Sequence, residues 1–182
     1  MSSVSVSSEY FKGKSFDLVV EIGTRFGEST IHLLESCNIK KLVTIDPFLQ
    51  YDDFKHDGAW QIATDETYEK TKQLLSKYEN LELVRKLSSD AVEIFEDESI
   101  DFIFIDGNHS YEYVTKDLED YYPKVKTGGI LCGDDYFMNA SGYGGRKMVQ
   151  EAVNDFAMKN SLELHTQGTH GGYPKNWVII KK

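Results

Sequence analysis

Short apolar runs alternate with amphipathic stretches along this chain, and the alternation predicts an α/β sheet protein. Leu18-Val19-Val20 lies in a predicted strand over 17–23 that ends at Gly23. Residues 28–36 read as a helix with Ile31, Leu33 and Leu34 turned inward, and 41–46 (KLVTID) as a second strand ending in an acid. A charged helix follows over 66–78, then a third strand over 81–85 and a short helix over 90–95. The run IDFIFID at 100–106 is apolar on successive positions, as expected of a central parallel strand covered on both faces. A helix over 112–122 puts Val114, Leu118, Tyr121 and Tyr122 on one stripe, and Pro123 and Gly128-Gly129 mark its end. Residues 129–133 give a fifth strand, and 147–158 a helix with Met148, Val149, Ala152, Val153, Phe156 and Ala157 on one face. Two last strands, 162–166 and 177–180, flank the turn-rich QGTHGGYPKN, which predicts an antiparallel hairpin. Five βα units and a terminal hairpin amount to a Rossmann-like, seven-stranded, mostly parallel sheet with helices on both faces.

The length, 182 residues, suits one domain with one core. We assign 1–16 to a short, partly disordered N-terminal lead and 17–182 to a single domain. The first ten residues are Ser-rich and lack the basic and apolar regions of a signal peptide. No apolar run approaches the roughly 20 residues of a membrane span, so the expected compartment is the cytoplasm. The net charge of −10 disfavours a nucleic-acid or anionic-membrane footprint. Cys37 and Cys132 belong to no CxxC or Cys/His cluster, which argues against zinc and against a disulfide framework. Cys132, in an apolar run, reads as a buried small hydrophobe.

The candidate chemistry begins at Glu21-Ile22-Gly23-Thr24-Arg25-Phe26-Gly27, which follows a strand and opens a helix. Glycines there let backbone approach a ligand, and a helix N-terminus favours a carboxylate. Asp46 ends the next strand, where an acid can accept hydrogen bonds from two ribose hydroxyls. Both lie at the strands' carboxyl ends, the ligand-binding edge of open α/β sheets. The dinucleotide fingerprint G-x-G-x-x-G is absent, which disfavours an NAD-dependent oxidoreductase.

VVEIGTRFGEST and VTIDPF resemble the first and second motifs of class I S-adenosylmethionine-dependent methyltransferases. The stretch from IDFIFIDGNHSYEY to GGILCGDDY resembles the metal-dependent macrocin- and mycinamicin-type sugar O-methyltransferases (methyltransferase family 24-like) and, more distantly, catechol O-methyltransferase. The resemblance is good over about residues 17 to 136. It implies the class I fold and S-adenosyl-L-methionine as cofactor. It places Glu21, Gly23 and Ser29, with Thr24 and Gly27 of the same loop, at the methionine end. It gives Asp46 the ribose, sets Ser88, Ser89 and Asp90 beside the adenine, and adds Asp106 to the cofactor set.

Asp106 ends the fourth strand, and Asp134 and Asp135 end the fifth. In the doubly wound order those strands are neighbours, roughly 4.8 Å apart. Three converging carboxylates need a proton, a cationic group or a metal, and hard oxygen donors favour Mg²⁺, Mn²⁺ or Ca²⁺ over zinc. Many relatives carry His-Asp where this chain has Asp134-Asp135, and the Asp-Asp form favours a metal. Alternatively Asp135 caps a turn and Asp106 bonds only backbone. His109, three residues after Asp106, titrates in a range suited to a general base. The histidine at that place in the macrolide-sugar enzymes is the proposed base; helping to start the next helix is the simpler role.

The expected activity is divalent-metal-assisted O-methylation of a small-molecule or sugar hydroxyl, with Asp106, Asp134 and Asp135 as ligands and His109 as base. A metal-independent methyltransferase of the same fold and a non-catalytic adenosylmethionine-binding partner protein are the alternatives. Tyr51, Trp60, Phe137, Tyr143, His170 and Tyr173 offer rings to an acceptor, though core or hairpin packing is the commoner fate of any one of them. Gly142, Gly144 and Gly145 suggest a lid loop.

Overall fold

The computed structural model describes residues 8–49, 65–142, 144–169, 172 and 175–182. Its elements in chain order are α1 (Ser8–Phe11), β1 (Ser15–Ile22), α2 (Glu28–Ser36), β2 (Asn38–Ile45), α3 (Asp65–Leu75), β3 (Leu81–Val84), α4 (Ser88–Ala91), β4 (Ile100–Ile105), α5 (Tyr111–Tyr121), β5 (Val125–Gly133), α6 (Val149–Lys159), β6 (Leu164–Gln167) and β7 (Asn176–Ile180). Short 3-10 turns follow α4 (Val92–Ile94) and α5 (Tyr122–Lys124). Among the described residues the strands form one seven-stranded sheet, ordered β3-β2-β1-β4-β5-β7-β6. β1 through β5 pair in parallel, and β7 pairs antiparallel with both β5 and β6. This is the expected mostly parallel sheet with a C-terminal antiparallel hairpin.

Alternation along the central strands sorts the core into two faces. Phe102 and Phe104 of β4 join Val19, Leu33, Leu42 and Phe11 on one side. Ile103 and Ile105 join Val20, Ile22, Leu118, Val153 and Trp177 on the other. The period of two in a strand puts neighbours on opposite faces, so a continuous apolar run such as FIFI serves both layers. The inward stripe of α6 is as expected: Met148, Val149, Ala152, Val153, Phe156 and Ala157 are all buried. Cys132 is fully buried and Cys37 half-buried, and neither forms a disulfide.

Several boundaries differ from the pattern reading: α3 ends three residues earlier than expected, at Leu75, α4 covers Ser88–Ala91 rather than 90–95, and β6 covers Leu164–Gln167 rather than 162–166. β1, β2 and β5 begin several residues earlier, at Ser15, Asn38 and Val125. Their leading residues mix exposed polar ones with isolated apolar ones such as Ile39 and Val125, too sparse to give a strand pattern, and backbone pairing such as Ser15 with Asn38 and Ile100 with Val125 carries them. Hydrophobicity does not mark a residue recruited by its backbone alone. Within the 1–16 lead, the turn Ser8–Phe11 is helical and Phe11 is buried, its ring 6.1 Å from that of Phe102. Among the described residues no helix is long and apolar enough to cross a membrane.

Candidate active site

The carboxyl ends of β1, β2, β4 and β5 gather nearly every residue singled out in the sequence. Glu21, next to last in β1, is flanked by Val20 and Ile22, which face the α5/α6 layer, so its side chain turns to the α2 layer. There it is fully buried and accepts hydrogen bonds at Oε2 from the Thr30 hydroxyl of α2 and from Thr44 of β2, the latter at 2.5 Å. Thr24 extends this network by its 2.5 Å contact with Thr44. Oε1 of Glu21 is buried without a hydrogen-bond partner. Burial pushes the Glu21 carboxyl up to about 7, with the nearby hydroxyls of Ser29, Thr30 and Thr44 pulling the other way.

Gly23 has a φ of 98°, and a Cβ on it would lie 2.1 Å from the carbonyl oxygen of Asp106. Only glycine fits so close an approach of two strand ends. Gly27 caps α2 at its N-terminus. Asp46 bonds to the turn around it: Oδ2 accepts from the Arg25 N–H at 2.9 Å and Oδ1 from the Phe48 N–H at 2.7 Å. Arg25 and Phe48 are both in the left-handed region, with φ of 45° and 51°. The carboxylate thus holds two strained residues in place, and each of its oxygens keeps a lone pair for a further donor. Burial raises its pKa against those backbone N–H groups.

Ser88 opens α4, but its hydroxyl donates to Asp117 of α5, and its carbonyl accepts from Tyr121 Oη at 2.9 Å. Asp117 is buried, which pushes it up to about 7 against the Ser88 bond. Ser89 is half-buried and Asp90 exposed.

Between β4 and β5 the structure regroups the predicted metal set. His109 Nε2 lies 3.3 Å from Asp106 Oδ1 and 3.3 Å from Asp135 Oδ2. One ligand atom from each of the three lies within 4.8 Å of the others, and their side chains are 19–26% exposed. Asp134 departs from the expected arrangement. Its side chain is only 2% exposed, with Oδ2 3.0 Å from Lys175 Nζ. Its Oδ1 accepts from Asn176 Nδ2 at 2.9 Å and from the Asp135 N–H at 2.8 Å. Both aspartates lie in the turn just past β5, where Asp135 is in the left-handed region with φ of 55°, and there the adjacent side chains part company: one goes inward to Lys175, the other to His109. Burial, with the charges of Asp106 and Asp135, pushes Asp134 up to about 6. For His109, burial favours the neutral ring, but the Asp106 bond and the charges of Asp135, Asp106 and Asp134 outweigh it and raise the pKa. Ser110 occupies the N-cap position of α5 without a side-chain cap bond, its hydroxyl donating instead to Asn108 Oδ1 at 2.7 Å.

The pattern reading did not single out Lys175, Asn176, Thr30, Thr44 or Asp117. A polar residue on an apolar stripe, as Asp117 is beside Val114 and Leu118, is the signal that marks one of them. Nothing local marks Lys175. Phe137 is half-buried and packs on the core. Tyr51, Trp60, Tyr143, His170 and Tyr173 lie outside the described residues. In the glycine loop, Gly142 N–H bonds to the Asn139 carbonyl, and Ala140 N–H to Glu151 of α6.

The family described as "Methyltransferase domain" matches residues 20–136, well over half of the chain. An uncharacterized protein of Acanthamoeba polyphaga mimivirus is 33% identical over 126 residues, 64% of this chain and 50% of that protein. The chain therefore spans half the length of that relative. A putative caffeoyl-CoA O-methyltransferase from Staphylococcus aureus superposes with a TM-score of 0.67 at 18% identity, covering 92% of this chain and 77% of that one. An rRNA methylase from Streptococcus thermophilus gives a TM-score of 0.63 at 17% identity, covering 96% and 90%. At such identities the likeness is one of fold, and these two proteins are described by very different acceptors. The matched segment, the sheet order and the loop at Glu21–Gly27 agree: the chain belongs to the methyltransferase-domain family and has the class I, S-adenosylmethionine-dependent methyltransferase fold.

Proposed function

We propose that the protein transfers a methyl group from S-adenosylmethionine to a hydroxyl of a small molecule or sugar, with a divalent cation at the reaction centre. The convergence of Asp106, His109 and Asp135 at the β4/β5 edge carries this reading. Glu21 and the loop after it fit the cofactor: a buried carboxylate oxygen with no partner suits a cationic ligand. The cofactor supplies an electrophilic methyl on a sulfonium. A hard cation supplies charge that offsets the carboxylates and acidifies a coordinated hydroxyl. Asp106 and Asp135 would hold it, with His109 beside them. Asp134 contributes charge from behind and is screened by Lys175.

His109 has the second task. Nε2 is placed to take the hydroxyl proton once the carboxylate charge around it is offset. The flanking carboxylates then stabilise the imidazolium that forms. Positioning of hydroxyl and methyl for in-line attack supplies the remainder of the rate. An acceptor that is small and uncharged suits a chain of net charge −10, since a polyanionic strand would be repelled.

A metal-free version of the same chemistry has one observation in its favour: with Asp134 paired to Lys175, His109 itself balances Asp106 and Asp135. Adenosylhomocysteine formation with a panel of hydroxylated acceptors tests both. The cation reading expects turnover that is lost in chelator and restored by Mg²⁺ or Mn²⁺, and a fall of about 10²- to 10⁴-fold in His109→Ala. Full turnover in excess chelator leaves only the metal-free version. Absence of adenosylhomocysteine binding to the folded protein rejects both.

A further inference from the structure

The start of β7 bears on the end of β5 at every residue. Trp177 pairs with Gly133, where a Cβ would lie 2.6 Å from the indole ring and 2.4 Å from the Ile105 carbonyl oxygen. Asn176 Nδ2 donates to Asp134 Oδ1 at 2.9 Å, and Lys175 Nζ sits 3.0 Å from Asp134 Oδ2. The Lys175 carbonyl accepts the Tyr136 N–H at 2.8 Å. The turn Gly133-Asp134-Asp135-Tyr136 is therefore gripped on both sides of Asp135. That residue needs the grip: its φ is 55°, a conformation that costs a non-glycine residue energy and persists only where neighbours impose it. The Asp134 carboxylate supplies the inner restraint by accepting the Asp135 N–H at 2.8 Å.

We infer that Lys175 and Asn176 are positioning residues for the reaction centre: they anchor Asp134, and Asp134 holds Asp135 towards His109 and Asp106. The two aspartates have separate tasks, Asp134 as anchor and Asp135 as the group that faces the site. The terminal hairpin, whose first strand begins only at Leu164, well after Asp135 in the chain, is thus part of the site's support. Groups that act through an oriented neighbour in this way govern affinity and rate without touching the ligand. The inference rests on reading Asp106, His109 and Asp135 as the reaction centre.

Lys175→Met separates the anchor from the alternative in which Asp134 is itself a cation ligand restrained by Lys175. The measurements are Mn²⁺ binding by calorimetry to the full chain with adenosylhomocysteine present, and the His109 Cε1–H resonance at fixed pH without metal. The anchor role expects Lys175→Met to weaken Mn²⁺ binding about tenfold or more and to move the His109 resonance to its Asp135→Asn position. Lys175→Arg should leave both near wild type, which a general loss of stability would not explain. Tighter Mn²⁺ binding in Lys175→Met overturns the inference, because a freed Asp134 would then be a ligand. So does a His109 resonance that stays at its wild-type position in folded Lys175→Met. If wild-type protein binds no Mn²⁺, the cation reading fails alone, and the resonance still decides the anchor. Should Lys175→Met not fold, Asn176→Ala removes the other arm and is expected to move the resonance the same way; an unmoved resonance overturns the inference.

Discussion

Glu21 shows how one buried carboxyl ties the stability of the fold to its proposed ligand role. In water it would ionise near 4.5, and in the folded chain burial holds it to about 7. Below about pH 4.5 it is protonated in both states. As pH rises from there, the unfolded chain gives up the proton first, so stability falls until the folded group ionises near 7. Glu21→Gln removes this dependence. Urea unfolding of ligand-free protein should therefore show Glu21→Gln gaining on wild type from about pH 4.5 upward, by as much as about 3 kcal/mol above pH 7. A gap that stays constant across that range contradicts the assignment. Binding of a cationic ligand runs the other way, since the neutral amide lacks the charge that Oε1 offers. Asp46 is engaged by the fold in a similar way, because its carboxylate ties the backbone of Arg25, after β1, to that of Phe48, after β2.

At the scale of elements, the site depends on strand ends brought unusually close. β1 and β4 meet at Gly23 and Asp106, and β5 and β7 at Gly133 and Trp177. The first junction sets the Glu21–Gly27 loop beside the Asp106–His109 turn, so the proposed cradle for the methyl donor and the proposed proton acceptor are built on adjoining strands. Gly23→Ala would place its methyl group 2.1 Å from the Asp106 oxygen, in a conformation with φ of 98°. We expect a loss of about 3 kcal/mol or more, read as a drop in thermal midpoint, together with loss of adenosylhomocysteine binding. An alanine variant of near wild-type stability would mean that the strand ends part easily. α5 ties in the β3 side of the same edge, through Asp117 and Tyr121 holding Ser88.

At the scale of the whole molecule, the described residues form two apolar layers on one sheet, and the smaller layer includes Phe11 of α1. Phe11 is 1% exposed and lies between Phe102 and His32, its ring 5.8 Å from the imidazole. Phe11→Ala should cost about 3 kcal/mol and lower the melting temperature by roughly 10 °C. A change of less than 2 °C would show that the turn does not seal the core. Because this layer also carries α2, whose Ser29 and Thr30 are buried beside Glu21, its loosening should weaken cofactor binding as well.

Much of this was legible in the residues alone. The alternation of apolar runs and stripes determined the order of strands and helices, because side-chain periods of about two and 3.6 leave a direct record in the sequence. Glycine spacing, Asp46 and the acids closing strands four and five determined the ligand-binding edge, because chain order in a doubly wound sheet puts strand ends there. Tertiary structure alone decided which of those acids face one another. Asp134 and Asp135 are chemically identical neighbours, and the seating of Lys175, just before β7, and of Asn176 at its start accompanies one inward and leaves the other with His109. The hydroxyls around Glu21 come from three separate elements, β1's following turn, α2 and β2, and no spacing rule joins them. Pairings across the sheet depend on backbone geometry at distances that a sequence does not encode locally, and the division of labour between two adjacent carboxylates is of that kind.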